Sequence, residues 1–328
     1  MVDAGAKILE MECGDAVFSA VISHDSSRIV SGDGSGKVTV WEALTGAKLH
    51  EMQCGGSVRA AISPCGTRIA GGDNASEVTN GEVKSKVTVW DARTGAKLRE
   101  MECDGKGFTT GMTCLAFSHD GSVIVSGDSR RKDEEHTGKL TLWATSRWAP
   151  ILQNWECGAG AGGVCDVAFS PDGVRIVSGD AARKVIIWDF YTGNKLRVME
   201  CGDSVRGVAL YCKGAHERIA SGDLSGKVTI WDALSGDKGS SCDKLHDMQC
   251  GGPVHSVAFS TDAARVVSGD ESGKVTVWDA STGTKMCEME CGGPVLSVAF
   301  SRDGTRVVSG DGSKKVTVWS VVDLGVLT

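Results

Sequence analysis

An all-β ring of seven four-stranded antiparallel blades, a seven-bladed β-propeller, is the fold class this sequence predicts, and three observations predict it. One unit of 40 to 50 residues is copied along the chain: segments 27–56 and 264–293 agree at 21 of 30 positions. Seven tryptophans, Trp41, Trp90, Trp143, Trp188, Trp231, Trp278 and Trp319, each close a β-branched run, at spacings of 49, 53, 45, 43, 47 and 41 residues. Glycine supplies 44 of 328 residues against 5 prolines, which fits many tight turns between short strands and not a helical bundle.

Each unit reads as four strands. Residues 254–260 (VHSVAFS) alternate as a first strand, and a Ser-Pro-Asp-Gly type of turn follows, clearest at Ser170, Pro171, Asp172 and Gly173. Residues 265–269 form a second strand, Glu271-Ser272-Gly273 reverses the chain, and residues 274–278 run to the tryptophan as a third. A Thr-Gly turn at 282–283 leads into the fourth. Apolar residues recur at spacing two and glycines interrupt every longer window, so no helix is predicted. Four strands repeated seven times at this period is the arithmetic of a propeller whose blades bury their faces against one another, read as one domain over 1–328.

Ring closure is also predicted. Residues 5–13 (GAKILEMEC) match 46–54 (GAKLHEMQC), the outer strand of blade 1, yet have no blade of their own. The last unit stops just past Trp319, before its own Thr-Gly turn and fourth strand. The N-terminal segment is therefore expected to complete blade 7 and remove an open sheet edge.

Composition narrows function. A net charge of -7 gives no basic field for phosphate backbones, so nucleic acid is not an expected partner. No apolar run reaches the length of a membrane span, and acidic residues interrupt 1–15 where a leader would be apolar; the expected compartment is the cytosol, or the nucleus.

The recurring S-P-D-G, V-S-G-D, K-V-T-V-W-D and T-G elements resemble WD40 repeats over nearly the whole chain, and the near-identity of the copies is similar to the WD arrays of fungal non-self-recognition proteins. The resemblance implies a non-catalytic scaffold that binds a protein or peptide, without cofactor or metal, as a monomer or a subunit of a complex. The alternative is a substrate-receptor or sensor module of a larger assembly such as a cullin-type ubiquitin ligase. The sequence departs from the family in two ways. Its usual histidine before the innermost strand is replaced by Cys13, Cys54, Cys103, Cys157, Cys201, Cys250 and Cys291. Spread round a rigid ring these cannot pair, and no C-x-x-C spacing occurs, so reduced, buried thiols are expected rather than disulfides or zinc. The family's second-strand hydroxyl falls on Asp33, Asp73, Asp128, Asp180, Asp223, Asp270 and Asp311, each expected to accept from turn amides, a nearby hydroxyl or the tryptophan indole.

Several chemical motifs have ordinary explanations. Residues 32–37 (GDGSGK) look like a phosphate loop but precede a strand and recur as a hairpin turn. Lys37, Lys86, Lys139, Lys184, Lys227, Lys274 and Lys315 suit interblade ion pairs or solvated positions better than an anion site. The cluster 133–136 (DEEH) beside Arg130, Arg131 and Lys132 reads as a solvated, mobile loop. Trp90, Asp91 and Arg93 resemble the W-D-x-R box that docks some WD40 proteins onto a ligase adaptor.

Specificity is sought where the copies disagree. The step from aspartate to tryptophan is 8 residues in plain copies but 17 in blade 2 and 15 in blade 3, so residues 74–85 and 129–138 are extended turns. Further insertions precede the first strands of blades 3 and 4, at 104–111 and 158–163, and the family places all four on one face. One first-strand position also diverges, carrying Phe18, Thr113, Cys165, Arg206, His255 and Leu296, with Val58 or Arg59 in blade 2, where a one-residue deletion blurs the register. Its neighbours are read as nearly invariant. These residues, with Glu77, Glu82, Arg130, Arg131 and Glu134 of the insertions, are the candidate partner-binding set.

Overall fold

The computed structural model describes residues 4–74, 78–79, 82–83, 85–103, 111–132, 135–159, 162–213, 216–234 and 242–322. Seven antiparallel four-stranded sheets form the blades. Blade 1 comprises Val17–Ile22, Arg28–Asp33, Lys37–Glu42 and Lys48–Gln53, and the other blades repeat this order from axis to rim. The first strands of blades 2 to 7 are Val58–Ile62, Met112–Phe117, Val164–Phe169, Val205–Lys213, Val254–Phe259 and Val295–Phe300. Each first strand neighbours those of the adjacent blades, so together they wall the axis.

The ring closes as the repeat pattern predicts. Lys7–Glu12 pairs antiparallel with Lys315–Ser320, placing Glu10 opposite Thr317 and Met11 opposite Val316. The bonding extends past the strand, with Gly5 N donating to Ser320 O at 2.7 Å and Cys13 N to Lys314 O at 2.8 Å. The charges repeat too. Lys7 and Lys315 both bind Glu10, as Lys48 and Lys37 both bind Glu51 in blade 1. Lys7 lies 5.7 Å from the centre of the Trp319 ring, and Lys48 lies 5.5 Å from that of Trp41. These lysines correct one expectation: Lys37, Lys86, Lys274 and Lys315 reach glutamates on the adjoining outer strand of their own blade, not the next blade.

Seven apolar clusters hold the blades together, each lying between two neighbours. That between blades 7 and 1 contains Met11, Val17, Ile29, Trp41, Val308, Val316 and Val318. The glycine of Val-Ser-Gly-Asp makes the close approach possible. A Cβ on Gly310 would meet Val17 Cγ1 at 2.5 Å, and one on Gly179, Gly222 or Gly269 would meet the leading valine of the next blade at 2.6, 2.4 and 2.4 Å. Only glycine leaves that hole open.

The tryptophan and aspartate turn out to have separate partners. Trp41 Nε1 donates to Ser31 Oγ at 2.9 Å, and Trp143, Trp188, Trp231, Trp278 and Trp319 use the matching serines of their own blades. Asp33, 2% exposed, instead braces its turn: Oδ1 accepts from Ser35 N, Ser35 Oγ and Lys37 N at 3.0, 2.7 and 3.0 Å, while Oδ2 accepts from Gly14 N at 3.2 Å. The indole therefore goes to the serine two residues earlier, not to the aspartate. Burial raises the carboxyls of Asp73 and Asp180 above their ordinary value even though backbone amides hold them.

All thirteen cysteines are free thiols. Burial pushes Cys13 up to about 11 and Cys54 to about 12, so both remain protonated. The expectation of uniform burial fails at Cys65, which is exposed. It stands where other turns have Asp25, Asp262 or Asp303, and the Ser63 and Thr67 hydroxyls lower its thiol to about 7.

Candidate interaction site at the axis of the ring

The divergent first-strand position is a β-bulge. Val17 pairs with Asp33 and Ser19 with Gly32, leaving Phe18 as the extra residue. The same shift isolates Thr113, Cys165, Arg206, His255 and Leu296. A bulge residue stands outside the ladder and is turned to a new direction, so its identity is free of the constraint on paired positions. Blade 2 has no bulge: Val58 pairs with Asp73 and Arg59 with Gly72, which settles the register and aligns Arg59 with Ser19.

All six bulges lie at the start of the first strand, the end where second strands finish. The second-to-third turns and the fourth-to-first connections therefore share that end. In blade 3 the extended turn expected at 129–138 is a hairpin over its described residues, 129–132 and 135–138, in place of the mobile loop expected at Glu135 and His136; 133 and 134 lie outside the described residues. Strands Val123–Lys132 and Glu135–Ala144 continue pairing from Ser129 opposite Gly138 to Lys132 opposite Glu135, so Arg130 and Arg131 sit on a projecting hairpin. Gly138 and Gly163 let it pack: a Cβ on either would meet Val164 N at 2.5 Å or Ser129 Cβ at 2.2 Å. In blade 2, Val78–Thr79 and Glu82–Val83 pair as a short ribbon that includes Glu82. Glu77 and Glu134 lie outside the described residues.

Around the axis the bulge side chains differ in commitment. Arg206 is exposed. His255 Nε2 lies 2.5 Å from Glu271 Oε2. Thr113 is occupied, its hydroxyl donating to Val164 O of the next blade. Arg59 Nη1 donates to Phe18 O at 3.2 Å, and its guanidinium lies 5.7 Å from the centre of the Phe18 ring.

The position after the bulge, read from sequence as nearly invariant, is the one that sequence reasoning missed. It carries Ser19, Arg59, Cys114, Asp166, Gly207, Ser256 and Ser297. The serines of blades 1, 6 and 7 accept the first-strand N–H of the next blade: Ala60 N to Ser19 at 2.7 Å, Val298 N to Ser256 at 3.1 Å, and Ala20 N to Ser297 at 2.9 Å. Asp166 takes this role in blade 4, accepting from Val208 N at 2.8 Å. Asp166 is half-buried on the wall of the axis, and desolvation there raises its carboxyl to about 6, against the opposing pull of the Val208 and Val167 amides and the Arg59 charge.

That shift has a consequence for stability. A folded-state value above the unfolded one means folding favours the protonated acid. The resulting stabilisation is complete below the ordinary value of 3.8 and is lost as pH rises through about 6. Asp166→Asn keeps an acceptor and is always neutral. It is expected to match the native protein in unfolding free energy at pH 4 and to exceed it by ~3 kcal/mol above pH 7. Denaturant melts at both pH values check this; equal stabilities at pH 7.5 contradict it.

At the opposite end, Trp90 is buried and Asp91 Oδ1 accepts from Arg93 N, Thr94 N and Thr94 Oγ1 at 3.0, 2.8 and 2.8 Å. Asp189 and Asp279 cap their turns in the same way, leaving Arg93 as the exposed member of the W-D-x-R group.

The family profile described as "WD domain, G-beta repeat" matches residues 99–133, 154–189, 242–279 and 285–320. The chain carries WD40 repeats. The second, third and fourth matched segments begin near the outer strand of one blade and end with the third strand of the next, so the sequence repeat is staggered against the blade. WD40 propellers are generally non-catalytic scaffolds. Over 92 residues, 28% of this chain, the sequence is 29% identical to the SIR4-interacting protein SIF2 of Saccharomyces cerevisiae. The match spans 15% of that relative's length. Among the described residues no group of three or more His, Cys, Asp or Glu side chains could hold a metal ion, and no helix is long and apolar enough to cross a membrane.

Proposed function

We propose that this WD40 propeller is a protein-interaction scaffold that receives a peptide or domain of its partner at the bulge end of the axis. The observation that carries the reading is where the copies part company. The residue released from the ladder and the one after it differ from blade to blade, and the blade 2 and blade 3 extensions rise from the same end. The name of SIF2, an interacting protein, fits this reading. The thirteen free thiols suit the reducing cytosol or nucleus.

Arg206→Ala and His255→Ala are expected to leave the melting temperature within about 2 °C of the native value, because neither side chain supports a ladder. Each is expected to weaken partner capture by about fivefold or more, the loss typical of a central anchor. Shortening 74–85 and 129–138 to the plain-blade length is expected to spare the fold and weaken capture too. Quantitative pull-down with parallel melts checks this, and folded variants that keep every partner at native affinity contradict it.

A further inference from the structure

The outer rims of blades 1, 2, 6 and 7 carry one repeated arrangement of charge. A glutamate of the outer strand, Glu51, Glu100, Glu288 or Glu10, binds two lysines at once, one from the adjoining third strand and one from the start of the rim segment itself. In blade 1 its oxygens lie 2.9 Å from Lys37 Nζ and 2.6 Å from Lys48 Nζ, and in blade 6 they lie 2.7 Å from Lys274 Nζ and 2.6 Å from Lys285 Nζ. Blade 4 keeps both lysines and lacks the acid. Lys184 opens its third strand, Lys184–Asp189, and Lys195 opens its outer strand, Lys195–Glu200. The register is the same: Trp188 pairs with Lys195 as Trp41 pairs with Lys48, and Lys195 Nζ lies 5.2 Å from the centre of the Trp188 ring. The residue in the place of Glu51 is Val198, 36% exposed, and its cross-strand neighbour is Ile186 where blade 1 has Thr39.

Among the described residues neither Lys184 nor Lys195 forms an ion pair. Glu200 stands opposite Lys184 as Glu12 and Glu290 stand opposite Lys315 and Lys274, and none of these three acids forms a salt bridge with the lysine it faces. Blade 5 has lysine at both positions too, but it retains an acid, Asp247, 3.7 Å from Lys244. Arg183, exposed on the turn that leads into the Lys184 strand, adds a third cation to blade 4. In a chain of net charge -7 this rim is a local patch of cations beside an exposed valine.

We infer that the outer rim of blade 4 is a docking surface for an acidic segment of a partner protein, whose carboxylate lies between Lys184 and Lys195 as that of Glu51 lies between Lys37 and Lys48. The aliphatic part of the acidic side chain covers Val198, so apolar contact adds to two ion pairs that are individually weak at an exposed site. The rim is distinct from the axial mouth and does not depend on that reading.

The test uses the full chain and a capped, fluorescein-labelled tetraglutamate peptide, with labelled tetraglutamine as control, and reads anisotropy at low ionic strength. The glutamate peptide is expected to bind at least about threefold more tightly than the glutamine peptide, with the preference shrinking as salt is added. Lys184→Gln combined with Lys195→Gln is expected to abolish the preference. Val198→Glu, which installs the glutamate of the other four blades, is expected to fill the site from within, exclude the peptide and melt no lower than the native protein. Should that variant fail to fold, the lysine pair decides alone. Equal binding of the two peptides overturns the inference, as does a native preference in the double lysine variant or in folded Val198→Glu. Loss of glutamate binding in Arg206→Ala, with the lysine variant unaffected, would place the acidic ligand at the axial mouth, overturning the rim site and leaving the proposed function standing.

Discussion

Deleting residues 1–12 is expected to open the ring, lowering the melting temperature by at least about 10 °C and promoting aggregation. The segment supplies the whole outer strand of blade 7, and its loss bares the backbone groups of Lys315–Ser320 that it pairs. It also removes Met11, 4% exposed, from the cluster that joins blades 7 and 1. Emptying that site alone, as in Met11→Ala, is expected to cost about 2–5 kcal/mol. Differential scanning calorimetry with light scattering reads both effects. A truncated chain that melts cooperatively at the native temperature would contradict closure by this strand.

Arg175→Ala is the point substitution expected to do most damage at the far end of the ring, about 3–5 kcal/mol. Arg28, Arg218 and Arg265 each reach a backbone carbonyl of the next blade. Arg175 instead binds the carboxylate of Glu217 in blade 5, which is 2% exposed and whose Oε1 has no hydrogen-bond partner. Removing the guanidinium would strand a buried charge. Thr67 and Thr305 occupy the place of Glu217 in blades 2 and 7, so Glu217→Thr should rescue Arg175→Ala. Urea denaturation of the single and double variants measures this, and a double variant no more stable than Arg175→Ala would show that the loss has another origin.

The strand count, the blade order and closure by residues 5–13 were legible because copying exposes a period and a missing piece exposes a seam. Finer features were hidden for physical reasons. One inserted residue in a strand leaves no mark on an apolar pattern, so Phe18 and Arg206 stood out as variable without revealing that they are bulges. Ser31 and Asp33 are two residues apart on one strand, and only side-chain geometry separates the indole acceptor from the turn brace. The charged run at 130–136 reads as a loop in composition, yet the backbone of 130–132 and 135–136 continues the blade 3 ladder. Asp166 escaped notice because the deletion in blade 2 displaced Arg59 from its column and hid how far that column varies.

The central claim is that the bulge end of the axis is where this scaffold meets its partner. It is tested most directly by placing a photoreactive phenylalanine analogue at position 206 or at position 44, whose native leucine is 72% exposed on a turn at the opposite end. After irradiation with the captured partner, the account predicts a covalent adduct from position 206 and none from position 44. An adduct from position 44 alone would contradict it.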